Sequence, residues 1–316
     1  MSPGIESGIV VEGVSRSFGS GDERVEALRD VSFVAPPGSV TAMLGVNGAG
    51  KTTLAKILAT LLLPTSGRAA IGGHDVVEQA KECRRVTSVV FGGDRGFYMA
   101  LSGRRNLAYF SMLAGLNRRE VKERLDSILD QVGLAEAANR RVETYSKGML
   151  QRLHIAAGLI SRPAVLLLDE PTVGLDPTEA QRLREAVAQA RDEGVAVLLT
   201  SHLLLDVELL ADRVLLLDGG VIREDLALRD FVKLAGYTAV VTAKGRGEAP
   251  RSFAAEPNAQ LHNQEGRWVL SLKIDKWSPG LLASIAKQLG DSEVEDLKVD
   301  PVRLDDVFSS LTGGDT

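Results

Sequence analysis

The sequence contains one cysteine, Cys83, in 316 residues. A single cysteine excludes a disulfide within the chain and fits a reducing, cytosolic setting. We expect Cys83 to be a small packed residue without a chemical role. Nothing in the cysteine content therefore indicates a cross-linked secreted domain.

Long apolar runs are also missing. A membrane-spanning helix needs about 18 or more consecutive apolar residues. The leucine-rich stretches near residues 165, 198 and 215 are short, and each ends at Asp or a polar residue. The opening residues MSPGIESGIVV show no basic segment followed by an apolar one, which a secretory signal would have. We expect a chain that neither crosses a membrane nor carries a leader.

Positive charge is not in excess. The net charge is −5 at pH 7 and the isoelectric point is about 5.6, which argues against a general nucleic-acid binder. We expect no nucleic-acid partner. The charge is uneven, however, because residues 81–152 contain 14 Lys and Arg against 8 Asp and Glu. A solvated helical face and a surface close to anionic lipid headgroups are both compatible with this basic segment.

The clearest pattern that is present is GVNGAGKTT, between the strand-like SVTAML and the helical LAKILATLL. A strand, a glycine loop and a helix in this order are typical of a loop that binds nucleotide phosphates. Its backbone amides and the helix dipole favour an anion, Lys51 would reach the β and γ phosphates, and the Thr52 hydroxyl would bind Mg²⁺. A glycine-rich turn that only starts a helix is the alternative. The predicted nucleotide-binding residues here are Gly45, Asn47, Gly48, Ala49, Gly50, Lys51, Thr52 and Thr53.

Acidic residues end a second apolar run, AVLLLDEP. In open α/β sheets ligands bind at the carboxyl ends of the strands, so Asp169 would hold Mg²⁺ and Glu170 would polarise an attacking water. Taken alone, two acids after a strand are more often a helix cap or a solvated turn. His202 follows the strand VAVLLT in the same way, and a structural histidine is the alternative to a catalytic one.

These elements predict an α/β fold with two domains. Residues 1–225 would form a P-loop NTPase core with an N-terminal antiparallel β layer and a helical subdomain at about 95–160. Residues 226–316, with looser strands and two helices, would form a small C-terminal α+β domain. Apolar positions Val121, Leu125, Ile128 and Leu129 have the spacing of a helix in the subdomain.

The stretch YSKGMLQRL gives a second helix start whose amino end is polar and open. The order phosphate loop, helical segment, YSKGM, LLLDEP, GLDP and SH over residues 8–225 resembles the nucleotide-binding subunit of ABC transporters. The resemblance implies an ATPase that uses ATP and Mg²⁺ and has catalytic residues Lys51, Glu170 and His202. It also implies that Ser146, Gly148 and Asp176 meet the nucleotide of a second ATP-binding subunit, expected to be an identical copy. Phe18 falls where the family stacks an aromatic ring on adenine, and a simple N-cap is the alternative role of Ser146.

The resemblance also implies a transmembrane permease as partner, and a cytoplasmic location on the inner face of the cell membrane. The C-terminal DPVRLDDVFSSLTGGD resembles the ABC-2 type exporters of the daunorubicin and multidrug resistance branch. Two departures stand out: Lys147 and Met149 replace the more usual glycine and glutamine, and no glutamine occurs at 92 or 93, where Asp94 could take part of its role.

Two rival classes use the same signature. DNA-repair and chromosome ATPases insert long coiled coils before it, for which the separation of 94 positions from Lys51 to Tyr145 leaves no room. Translation-factor relatives carry two nucleotide domains, whereas this chain has one phosphate loop. A soluble regulator or binding module without a transport partner stays open as the alternative function.

Overall fold

The structure, a computed structural model, describes residues 8–91, 96–253, 256–264, 266–290 and 292–311. It divides into two compact units, Met1–Leu228 and Arg229–Thr316. Within the described ranges no helix is both long and apolar enough to cross a membrane.

The first unit begins with an antiparallel sheet in the order β2-β1-β4-β5. Its strands are β1 (Ile9–Phe18), β2 (Val25–Ala35), β4 (Ser66–Ile71) and β5 (His74–Asp75). Along β1, buried Ile9 and Val11 alternate with more exposed Val10 and Glu12, because successive side chains of a strand point to opposite faces. This sheet is the predicted antiparallel layer.

The central sheet of this unit has six strands in the order β10-β9-β3-β8-β7-β6. They are β3 (Val40–Leu44), β6 (Thr87–Phe91), β7 (Val165–Asp169), β8 (Ala196–Thr200), β9 (Arg213–Asp218) and β10 (Val221–Ala227). All neighbours are parallel except β9 and β10. Its strands are almost uniformly apolar because both faces are covered: Val165 and Leu167 pack on one core cluster and Leu166 and Leu168 on another.

Helices cover both faces of the central sheet. They are α1 (Lys51–Leu58), α2 (Ala80–Val86), α3 (Gly103–Leu113), α4 (Arg118–Gln131), α5 (Lys147–Leu159), α6 (Pro177–Asp192) and α7 (Leu204–Leu210). The short helix α8 (Leu228–Val232) begins at the last residue of this unit and continues into the second. The predicted helical segment consists of α3, α4 and α5. Helix α4 begins with a capping box between Asn117 and Glu120, and it buries the four apolar residues whose spacing predicted it.

The second unit is an antiparallel sheet in the order β12-β13-β11-β14 with two helices. The elements are β11 (Ala239–Arg246), β12 (Ala259–Gln264), β13 (Arg267–Ile274), α9 (Leu281–Leu289), β14 (Glu293–Pro301) and α10 (Leu304–Leu311). Trp268 is fully buried in its core, and its indole nitrogen donates to the Arg246 carbonyl. This unit therefore has a core of its own.

Candidate active site

The phosphate loop joins β3 to α1, and backbone atoms leave no space for a side chain at Gly45 and Gly50. A Cβ on Gly45 would overlap the Leu217 carbonyl oxygen of β9. Gly48 and Gly50 have φ of 84° and 108°, a region that favours glycine. The Gly220 amide donates to the Ala49 carbonyl at 3.1 Å. No side chain caps the first turn of α1, so its leading N–H groups can receive an anion.

Lys51, the first residue of α1, is buried under the loop. Its Nζ donates to the Gly45 carbonyl at 2.6 Å and to the Val46 carbonyl at 3.2 Å. Burial lowers the pKa of Lys51, and the charges of Glu170 and Asp169 oppose that shift. The electrostatic influence of these two acids places them near the lysine, as expected for strands whose carboxyl ends share one sheet edge.

Asp169 is the last residue of β7 and lies level with Thr200, the last residue of β8. The Thr200 hydroxyl donates to the Asp169 carboxylate. Thr200 did not feature among the predicted site residues. The end of VAVLLT at the same sheet edge was the sequence signal that could have identified it.

Glu170 and His202 lie in direct contact. His202 Nδ1 is 2.9 Å from Glu170 Oε1, and both side chains are partly exposed. Glu170 has φ of 50°, an unfavourable value for a residue with a Cβ, of the kind that concentrates at functional sites. The Glu170 amide donates to the Thr200 carbonyl at 2.9 Å, which anchors this backbone. The pair can therefore hold and orient one water molecule.

The residues present fit a magnesium ion. Thr52 is exposed at the start of α1, and Asp169 ends β7, two strands from β3 in the same sheet. Oxygen donors suit Mg²⁺, which usually keeps several waters and binds phosphate oxygens as well as one or two protein groups. Among the described residues, no group of three or more His, Cys, Asp or Glu side chains could hold a metal ion.

Ser146 and Gly148 form a separate cluster at the start of α5. The exposed Ser146 is the N-cap, and its Oγ accepts from the Met149 amide at 3.2 Å. Gly148 is buried, and a Cβ there would lie 2.6 Å from the Cγ of Glu179. Glu179 in turn pairs with the Arg152 guanidinium at 2.8 Å, and the Arg152 side chain is only 2% exposed.

Asp176 caps α6 next to this cluster. Its Oδ1 accepts from the Thr178 and Glu179 amides, both at 3.0 Å. The Lys147 side chain lies against Gly174, close to where a Cβ on that glycine would be. Within the described part of the chain, no hydrogen bond or ion pair joins this cluster to the phosphate loop of the same copy. On one chain, this cluster and the phosphate loop are thus separate.

The remaining predicted residues that the structure describes, Phe18, Asn47 and Thr53, are exposed or half-buried. Phe18 ends β1, is 40% exposed, and has the Arg16 guanidinium 4.6 Å from its ring centre. Asn47 is exposed, and Thr53 is half-buried in α1. Gly92, Gly93 and Asp94, which bear on the missing glutamine, lie outside the described residues. Sequence reasoning also missed Glu179, whose position three residues after an N-cap aspartate was the available signal.

A largely parallel sheet with a phosphate loop after β3 and two acids after β7 defines the class of P-loop nucleoside triphosphatases. Residues 28–173 match the ABC transporter family. A doxorubicin resistance ATP-binding protein of Mycobacterium tuberculosis (strain ATCC 25618 / H37Rv) is 42% identical over 230 residues, which are 73% of this chain and 69% of the relative. The chain belongs to the ATP-binding proteins of ABC transporters, and it is an ATPase.

Two further relatives agree. A daunorubicin resistance ATP-binding protein of Streptomyces coeruleorubidus is 35% identical over 312 residues, 98% of this chain and 97% of that protein. The solved structure of cbiO1 from Clostridium perfringens, part of the transporter complex cbiONQ, has a TM-score of 0.65 at 26% identity and covers 71% of this chain and 90% of its own. The predicted family, its exporter branch and the predicted fold class are confirmed.

Proposed function

We propose that two copies of this chain enclose two MgATP molecules and drive a separate membrane-spanning exporter subunit. The observation that carries the proposal is the separation of the half-sites: Lys51, Glu170 and His202 occupy one, and the exposed Ser146 occupies the other. An exposed helix N-terminus with a serine hydroxyl suits a phosphate that arrives on another molecule. The copies would therefore pair head to tail.

The chemistry follows from positioning and electrostatics rather than from covalent catalysis. Backbone amides of the loop and Lys51 would bind the phosphates, and Thr52 and Asp169 would hold the magnesium ion. When bound, Mg²⁺ neutralises charge on the phosphate oxygens. Glu170 would polarise the water with His202 orienting it, Phe18 would stack on the base, and Gly148 and Asp176 would complete the second half-site.

Exposed apolar side chains in α3 and shortly before it support a membrane-subunit partner. Tyr98, Met99, Met112 and Leu113 are 51%, 41%, 52% and 65% exposed. Large apolar side chains that stay exposed on one copy suit a protein interface. Arg104 and Arg119 of the same segment are already engaged by Asp126 and Glu123 at 2.6 and 2.8 Å, which favours protein contact over lipid contact. The chain would then lie on the cytoplasmic face of the cell membrane.

The relatives support a cargo class for the exporter. Several are doxorubicin or daunorubicin resistance proteins by name, and we extend to this chain a part in the export of compounds of that kind. The antiparallel second unit has no assigned part in this scheme.

The test is Glu170→Gln in the full chain. We expect ATP turnover to fall by roughly 100-fold or more, the scale of losing a general base, while ATP binding persists. Cysteines introduced at the exposed Val46 and Lys147 should then cross-link two copies only when ATP is present. The control for random collision replaces Lys147→Cys by Leu61→Cys and keeps Val46→Cys. Leu61 is 64% exposed. Bound ATP without the first cross-link would refute the head-to-tail dimer.

A further inference from the structure

A buried carboxylate lies behind the Glu170 and His202 pair. Asp206, on α7, is 0% exposed. Its Oδ1 accepts from Arg184 of α6, whose Nε and Nη2 both lie 2.8 Å away. Burying an ionised carboxylate is costly unless it is paired and hydrogen-bonded. The pairing with Arg184 satisfies that requirement on one side of the carboxylate.

The other oxygen of Asp206 serves the two loops that carry the proposed reaction. The Thr172 hydroxyl donates to Oδ2, and the Ser201 hydroxyl lies 3.4 Å from the same atom. Thr172 stands two residues after Glu170, and Ser201 stands one residue before His202. Thr172 and Ser201 are 3% and 1% exposed. One carboxylate oxygen therefore joins the loop after β7 to the loop after β8.

Helix α6 adds a third connection. Its N-cap is Asp176 of the second half-site, and Arg184 lies two turns further along the helix. The Arg184 side chain is 11% exposed, so it is largely shielded from water. Through Asp206, helix α6, the Glu170 loop and the His202 loop share a single anchor, although Glu170 and His202 are 32 residues apart in the sequence.

We propose that Asp206 is a positioning residue for ATP hydrolysis: it holds the Glu170 and His202 loops at the spacing that gives their 2.9 Å contact. The proposal rests on the function proposed above for those two residues. Asp206 touches neither nucleotide nor water in this role. It acts through Thr172 on one loop and Ser201 on the other, and small displacements of a reacting group are sufficient to change rates.

The sharpest perturbation leaves the ion pair with Arg184 intact. Asp206→Asn can fail to fold because it leaves a buried guanidinium unpaired. Thr172→Val removes one hydroxyl and keeps the side-chain shape, and Thr172→Ser restores the donor. Thr41→Val is the matched control, because Thr41 of β3 is also fully buried and its hydroxyl has no hydrogen-bond partner in the described structure.

We expect Thr172→Val to lower kcat by about 10-fold to about 100-fold and to leave the KM for ATP within about twofold, since the phosphate loop is untouched. Thr172→Ser and Thr41→Val should keep the wild-type kcat. In a Glu170→Gln background, Thr172→Val should cause no further loss in single-turnover assays, because residues that act as a unit are not additive. Ser201→Ala should lower kcat in the same way, because it removes the contact between Asp206 and the His202 loop.

The outcomes separate the two proposals. If Glu170→Gln is slow while Thr172→Val behaves like Thr41→Val, the positioning role is wrong and the proposed function stands. An undiminished Thr172→Val effect in the Glu170→Gln background would also overturn it, because Thr172 would then act elsewhere. If Glu170→Gln turns over at the wild-type rate, the proposed function fails and the positioning role fails with it.

Discussion

Gly148→Ala tests why the signature turn has a glycine at this position. The family interpretation gives this glycine to the partner's nucleotide. The structure adds a reason within one copy, because a Cβ at 148 would lie 2.6 Å from Cγ and Oε2 of Glu179 and 2.8 Å from its Cβ. Contact with Cβ cannot be relieved by a small bend at the end of the side chain. Glu179 must turn away, and Arg152 then loses its carboxylate.

The expected change in the free energy of unfolding for Gly148→Ala is the difference of two opposing effects. Breaking a buried ion pair by removing one partner costs about 3–5 kcal/mol. Because the Glu179 side chain is 16% exposed, we take the lower value, about 3 kcal/mol. Alanine in a helix is favoured over glycine by about 1 kcal/mol. The net loss is about 2 kcal/mol, which lowers the melting temperature of a unit of this size by about 4–8 °C.

The assay is thermal unfolding of the full chain without nucleotide. Gly158→Ala is the control, because it makes the same substitution in the same helix, where the nearest atoms to a new Cβ are 3.4 Å away. It should keep or slightly raise the melting temperature. Adding Glu179→Ala to Gly148→Ala should cost no more than Glu179→Ala alone. A melting temperature for Gly148→Ala equal to that of Gly158→Ala would refute the reasoning.

Two other predictions concern titratable groups. Burial lowers the pKa of Lys51 from 10.5, so just below that pH the unfolded chain binds more protons than the folded chain. The free energy of unfolding should therefore rise as pH increases towards 10.5. Lys51→Met should abolish that rise in urea titrations, and an identical pH dependence in the variant would contradict the assignment. Burial raises the pKa of Cys83, and its Sγ donates to the His74 carbonyl at 3.2 Å. Iodoacetamide at pH 8 should therefore modify the Cys83 thiol only in urea. Rapid labelling of the native chain would show instead that the thiol is accessible.

Most strands and helices of the first unit were predictable because their apolar residues recur with a strand or helix period. Both the glycine spacing of the phosphate loop and the Val and Leu runs of β7 and β8 give direct signals. Strands β10 and β12 were not predicted. In β12, AQLHNQ has little apolar content and forms a strand by pairing with β13 in a hairpin. Local propensity does not indicate a strand that depends on its cross-strand partner.

For the candidate site too, local sequence predicted some residues and not others. Lys51, Asp169, Glu170 and His202 were predicted because each lies at or just after the carboxyl end of a predicted strand or begins the helix that follows one, and His202 rested also on the family resemblance. Thr172, Asp206 and Arg184 were not found, because no motif relates a threonine in a loop to side chains on two later helices. Only the three-dimensional packing of α6 and α7 brings them together.

The two hydrogen bonds of Lys51 have a consequence for how substitutions at this position are interpreted. Its ammonium donates to two carbonyls of its own loop, so the side chain fastens the amino end of the loop to the first turn of α1. Replacing Lys51 therefore removes an internal brace of the loop as well as a positive charge, and a loss of ATP binding in such a variant reports both effects.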